Sequence, residues 1–144
     1  MSTFVKQSDV IEEQFDWGSI GWRCRPANTG SRSLVVMDVT LEPGEGHAFH
    51  RHDGQEEMII VKQGSVTQFI ERESTTLQAG DSVYLDAGVV HASYNDGDET
   101  AHLQVVIGPS LGEGGYGLVD VSGEEPWASV RGYELPTTFI RGSS

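Results

Sequence analysis

The chain has 144 residues, and its 22 acids against 9 bases leave a formal charge of −13. That field repels phosphate backbones and anionic lipid, which argues against nucleic acid or a membrane surface as partner. One domain is expected at this length, and with 18 glycines added to the 37% hydrophobic residues the apolar share is that of an ordinary globular protein.

The opening MSTFVKQSDV has neither a basic leader nor an apolar one, and no run approaches a membrane span, so a cytoplasmic location is expected. Ser8 to Phe15 is expected to form at most one helical turn. DWGSIGW then reads as an early strand covering one face of the fold. Cys24 is the only cysteine; it excludes an intrachain disulfide and reads as a small core residue. From Ser33 to Leu41, SLVVMDVTL is a β-branched, apolar strand broken by Pro43-Gly44. Asp53-Gly54 is a hairpin signal, and EMIIVK returns from it as a strand ending at Gln63-Gly64. SVTQFIE runs to a polar stretch, Arg72 to Thr76. SVYL, VVHASY and AHLQVVI follow, set apart by turns at Ala79-Gly80-Asp81, Asp86-Ala87-Gly88 and Asn95-Asp96-Gly97-Asp98. Strands so spaced predict an all-β sandwich or barrel. The expected organisation is a single domain, with a covering segment 1–32, a barrel core 33–108 and an extension 109–144. Leu118, Val119, Trp127, Tyr133 and Phe139 argue against a disordered tail and point to a docked extension, with a mobile lid as the alternative.

HAFHRHDGQEE, residues 47–57, concentrates three of the five histidines. Alternation along a strand puts His50 and His52 on one face, about 6.5 to 7 Å apart, a separation suited to two imidazoles converging on one cation. A turn at Asp53-Gly54 lets an acid of the returning strand face them, and VVHASYN supplies a third histidine. Histidines with a carboxylate and open positions suit a redox-active or Lewis-acid metal. By the same parity His47, three residues before His50, falls on the opposite face and is a bystander. Leu103, Val105 and Ile107 are the apolar parity of the last strand, which sends His102 outward; reversed parity would put it in the cavity. Tyr84 and Phe69 read as packing residues.

GEGHAFHRHDGQEEMIIVKQG resembles the first signature of the cupin superfamily at Gly44, His50, His52, Glu57 and Gly64. GDSVYLDAGVVHASYN resembles the second at Gly80, Gly88, His91 and Asn95, with Asp86 where the family usually has proline. The resemblance covers about residues 34–108. It implies a jelly-roll barrel (the double-stranded β-helix) holding one divalent transition metal ion, Fe, Mn, Ni, Cu, Co or Zn, through His50, His52, Glu57 and His91. The spacing to Gly64 chooses Glu57 over Glu56. Three imidazoles and a carboxylate leave adjacent positions open for a small oxygen-bearing molecule, with Glu57 as a base. A dioxygenase-type enzyme is the first expectation. A decarboxylase, isomerase or lyase, or a non-enzymatic binding or sensing module, is the alternative. A homodimer is also expected, with Trp17 and Trp22 at its interface.

Overall fold

In the computed structural model, which describes residues 3–131, buried and more exposed residues alternate along Val35–Leu41, Glu56–Gln63 and Ala101–Gly108 and fix which face those strands bury. β1 (Ile11–Phe15) and β2 (Gly18–Cys24) form a hairpin, and β2 pairs with β3 (Val35–Leu41). β3 buries Val35, Met37, Val39 and Leu41, with the intervening residues half-exposed. β4 (Gly46–Arg51), β5 (Glu56–Gln63), β6 (Ser65–Ile70), β7 (Glu73–Gln78), β8 (Ser82–Leu85), β9 (His91–Tyr94) and β10 (Ala101–Gly108) follow. The short β11 (Val119–Asp120) comes last, with the one-turn helices α1 (Pro26–Thr29) and α2 (Trp127–Val130) outside the sheets. Two antiparallel sheets result, ordered β1-β2-β3-β10-β5-β8 and β11-β4-β9-β6-β7. This is the expected all-β jelly roll. Among the described residues no helix is long and apolar enough to cross a membrane.

Each sheet turns one face inward. Ile20, Trp22, Met37, Leu41, Val61 and Val105 belong to the larger cluster between the sheets. Along β9, His91 and Ser93 face inward while Ala92 and Tyr94 join a second cluster on the outer face of the smaller sheet. Phe49, Phe69, Val90 and Val121 complete that cluster, with Trp127 and Val130 packed over it. Residues 109–131 of the extension therefore dock. β11 pairs with β4, and Trp127 stacks on Phe49 at 5.8 Å. Tyr133 and Phe139 lie outside the described residues.

Four local expectations need correction. Ser8–Phe15 is not a helical turn; a 3-10 turn at Gln7–Asp9 leads directly into strand β1. The polar stretch after Ile70 is strand β7, paired along its length with β6. It escaped notice because it is an edge strand with an almost fully exposed face, where no apolar alternation is required. Asp53-Gly54 makes a tight turn, but not a hairpin. β4 lies in one sheet and β5 in the other, so the chain crosses the barrel there. Cys24 is half-buried, with Sγ 3.2 Å from Thr29 Oγ1, at the end of β2 and not deep in the core.

Candidate metal centre

His50 lies on β4 directly opposite His91, its cross-strand partner on β9. His52 sits just past the end of β4, where its backbone carbonyl accepts hydrogen bonds from Gly88 (3.1 Å) and Gln55 (3.3 Å) and holds the crossover in place. All three side chains are buried, and one ligand atom from each falls within 4.8 Å of the others.

The tautomers follow from the hydrogen bonds. Nδ1 of His50 lies 2.6 Å from the Ala48 carbonyl, that of His52 2.6 Å from the Gly117 carbonyl, and that of His91 3.1 Å from the Val89 carbonyl. A carbonyl can only accept, so each Nδ1 carries the proton and donates it. A ring so oriented turns its Nε2 to the centre, the arrangement in which imidazole binds a metal.

Glu57 faces them across the barrel from β5. Its Oε1 lies 2.9 Å from His91 Nε2 and 3.4 Å from His52 Nε2. Yet Glu57 Oε1 and His91 Nε2 are buried without a hydrogen-bond partner, so the short contact lacks hydrogen-bond alignment. Two lone pairs that close repel unless a cation stands between them. A proton does this in part. Burial alone would raise the Glu57 carboxyl, but His52 and His91 outweigh it and bring its pKa down to about 2. His52 is raised above its ordinary value because Glu57 and the Gly117 carbonyl overcome desolvation. A divalent ion meets the same need better, and the three imidazoles and one carboxylate fit it. His50, by contrast, is pushed well below its usual range by burial and then by its neighbouring histidines, and is neutral.

His47 does not fall on the opposite face. Its ring stacks on His50 at 3.7 Å and on Trp17 at 4.0 Å, and it lines the cavity. Strand parity is broken here because the β4–β9 pairing slips between His47↔Ser93 and His50↔His91. One extra residue on β4 makes a bulge, and the bulge returns His47 to the inner face. Burial first, then the charges His52 and His91 would carry, push its pKa down to about 3. It too is a neutral imidazole.

Glu56 points outward and accepts the Tyr84 hydroxyl at 2.6 Å; Tyr84 is exposed, not a packing residue. Phe69 is buried in the outer cluster. His102 is exposed, with Nδ1 3.2 Å from Thr40 Oγ1, and does not reach the cavity. Asp86, where proline was expected, accepts the Ala87 amide at 2.8 Å and so stiffens the turn with its side chain. Asn95 is structural. Its amide donates to the Leu41 and Glu99 carbonyls, both at 2.8 Å.

The cavity holds about 450 Å³, counting its mouth open to solvent. Away from the histidines and Glu57 its wall is mostly aliphatic, including Ile20, Met37, Leu41, Ile59 and Val105. Trp17, Ser93 and Tyr116 also line it. Only the pairing of strands and the docking of the extension bring those three to the site, and no spacing in the chain announces them. Among the described residues no lysine or arginine lines it.

Residues 26–108 match the model of the cupin domain, and the chain belongs to the cupin family. It is 26% identical over 110 residues to the polyketide synthase protein CurC of Streptomyces cyaneus, covering 76% of this chain and 71% of that one. In three dimensions it is similar to the polyketide cyclase RemF of Streptomyces resistomycificus. The TM-score there is 0.68 at 18% identity, covering 91% of this chain and 94% of RemF. It is also similar to a predicted oxalate decarboxylase from Thermotoga maritima, with TM-score 0.66 and 19% identity over 74% of this chain and 99% of that one.

Proposed function

We propose that this chain is a metal-dependent enzyme acting on a small, uncharged, enolisable carbonyl compound of polyketide type, whose carbon–carbon condensation it promotes. The observation that carries the reading is the cavity wall. Donors for one divalent ion cluster on one side, the remainder is largely aliphatic, and among the described residues no lysine or arginine is present to pair with a carboxylate or phosphate. With Glu57 offsetting one charge of a divalent ion, an anionic substrate would find only the ion's remaining charge as partner, which favours an uncharged substrate over oxalate-like dianions and sugar phosphates. The names of CurC and RemF point the same way.

His50, His52, His91 and Glu57 would hold the ion. When bound, it would supply a Lewis acid that polarises a carbonyl oxygen. Glu57 is the one carboxylate among the described lining residues. Released from the ion, it would take the proton from the carbon between two carbonyls, whose electron pair forms the new carbon–carbon bond as the accepting carbonyl's π bond breaks and its oxygen recovers the proton. Ile20, Met37 and Val105 exclude water from the reacting carbons.

A dioxygenase is the second reading, favoured by the three-imidazole, one-carboxylate donor set, which also suits redox metals. The test incubates metal-loaded protein with β-diketones and short poly-β-keto compounds, in air and under argon, following oxygen uptake and products by mass spectrometry. Ring closure at equal rates in both atmospheres, lost in His52→Ala, supports condensation. Oxygen uptake with product formed only in air overturns it for the dioxygenase. Tight binding without turnover in either atmosphere makes the protein a binding module.

A further inference from the structure

We propose that Gln55, from the loop crossing between the sheets, is a positioning residue for the metal centre. It acts through the extension 109–117 to hold the carbonyl that orients His52. This rests on the reading of His52 as a metal ligand.

Gln55 is 1% exposed, yet it carries a side-chain amide. Its Nε2 donates to the Pro109 carbonyl at 2.7 Å and the Gly115 carbonyl at 3.1 Å, while its Oε1 accepts the Gly117 amide at 3.0 Å. Both donors and the acceptor are thus spent on one strap of backbone. The next link is short. The carbonyl of Gly117, whose own amide Gln55 holds, accepts Nδ1–H of His52 at 2.6 Å.

The other two histidines are oriented by carbonyls two residues away on their own segments, Ala48 and Val89. His52 alone relies on a segment distant in sequence, one outside the residues that match the cupin domain. Its tautomer therefore depends on the strap staying down. Gln55 is the side chain that keeps it there beside the site, three residues from the histidine it serves. Arg25 also reaches the strap, at the Gly114 carbonyl (3.5 Å), but from the far side and without touching Gly117.

Outer partners of metal-bound histidines change metal affinity about 10- to 100-fold when removed. Gln55→Met keeps the side chain's length and removes every hydrogen bond. It should weaken zinc binding by about that factor, measured by competition with a chromophoric chelator. Nitrogen-15 NMR of the metal-free protein should show His52 changing from one Nδ1–H form to a mixture of tautomers, with His50 and His91 unchanged. Arg25→Ala, which loosens the strap elsewhere, should leave all three rings as they were. Should Gln55→Met fail to fold, Gln55→Glu keeps the acceptor for Gly117 and loses both donors; it should shift His52 the same way by a smaller amount. An unchanged His52 tautomer in the folded Gln55 variant, or an equal disturbance in Arg25→Ala, overturns the proposal. If the unmodified protein binds neither zinc nor divalent iron, manganese, nickel, copper or cobalt, the metal reading fails, while the tautomer measurement still decides the role of Gln55.

Discussion

Gly64 and Gly54 have the same backbone conformation, φ +75° in both, but different surroundings. A Cβ built on Gly54 meets nothing within 4 Å, whereas one on Gly64 would lie 2.6 Å from the Thr100 carbonyl oxygen and 3.0 Å from Ala101 Cα. Gly54→Ala therefore carries only the left-handed cost, about 1–2 kcal/mol. Gly64→Ala carries that cost and an overpacking term of about 1–3 kcal/mol, because the atoms in the way are backbone and cannot swing aside. The difference between the variants should be about 1–3 kcal/mol, which for a chain of this length separates their Tm values by about 3–10 °C. Urea and thermal unfolding of both metal-free variants, followed by circular dichroism, measure it. Equal losses would show that backbone conformation alone demands glycine at position 64, and that its close approach to the strand leading into β10 is immaterial.

His50→Ala, His52→Ala and His91→Ala should each lose most of the metal found by elemental analysis, while His47→Ala keeps it. Retention in His52→Ala refutes the ligand set. Glu57→Gln should lower metal content and Glu56→Gln should not; the reverse result would mean that the wrong face of β5 has been assigned to the site. Partial burial raises Asp96, but the paired Arg131 guanidinium outweighs it and holds the carboxyl below its usual range. A depressed acid stabilises the fold above its unfolded pKa and loses that contribution as pH falls through the folded value. The stability gap between the parent and Asp96→Asn should thus be steady near neutral pH and close in acid, and a gap that widens on acidification refutes the pairing. We expect a homodimer, but not through the tryptophans. Trp22 is buried and donates to Glu13, and Trp17 is stacked between Phe15 and His47. The edge strand β1, with Ile11 exposed, is the better interface. A monomeric mass at micromolar concentration in analytical ultracentrifugation counts against it.

Local pattern carried the strands whose faces differ. β3 and β10 alternate clearly, and from that alternation His102 could be sent outward without knowing what β10 pairs with. Alternation likewise put His50 and His52 on one face, whereas the choice of Glu57 over Glu56 and the place of His91 in the set rested on the resemblance to the two cupin signatures. Pairing decided the rest. Whether His47 faces the cavity depends on a bulge against β9, and a bulge is a property of two strands together. Whether Asp53-Gly54 makes a hairpin or a crossover depends on which sheet each flanking strand joins. β7 has no buried face to pattern its residues, so only its partner β6 reveals it. Glu57 meets His52 and His91 across the space between two sheets, and Gln55 reaches the Gly117 carbonyl more than sixty residues along the chain. Periodicity records how a side chain leaves its own backbone. It carries no record of what stands opposite, and in this protein the lining of the cavity and the support of His52 are both made of such encounters.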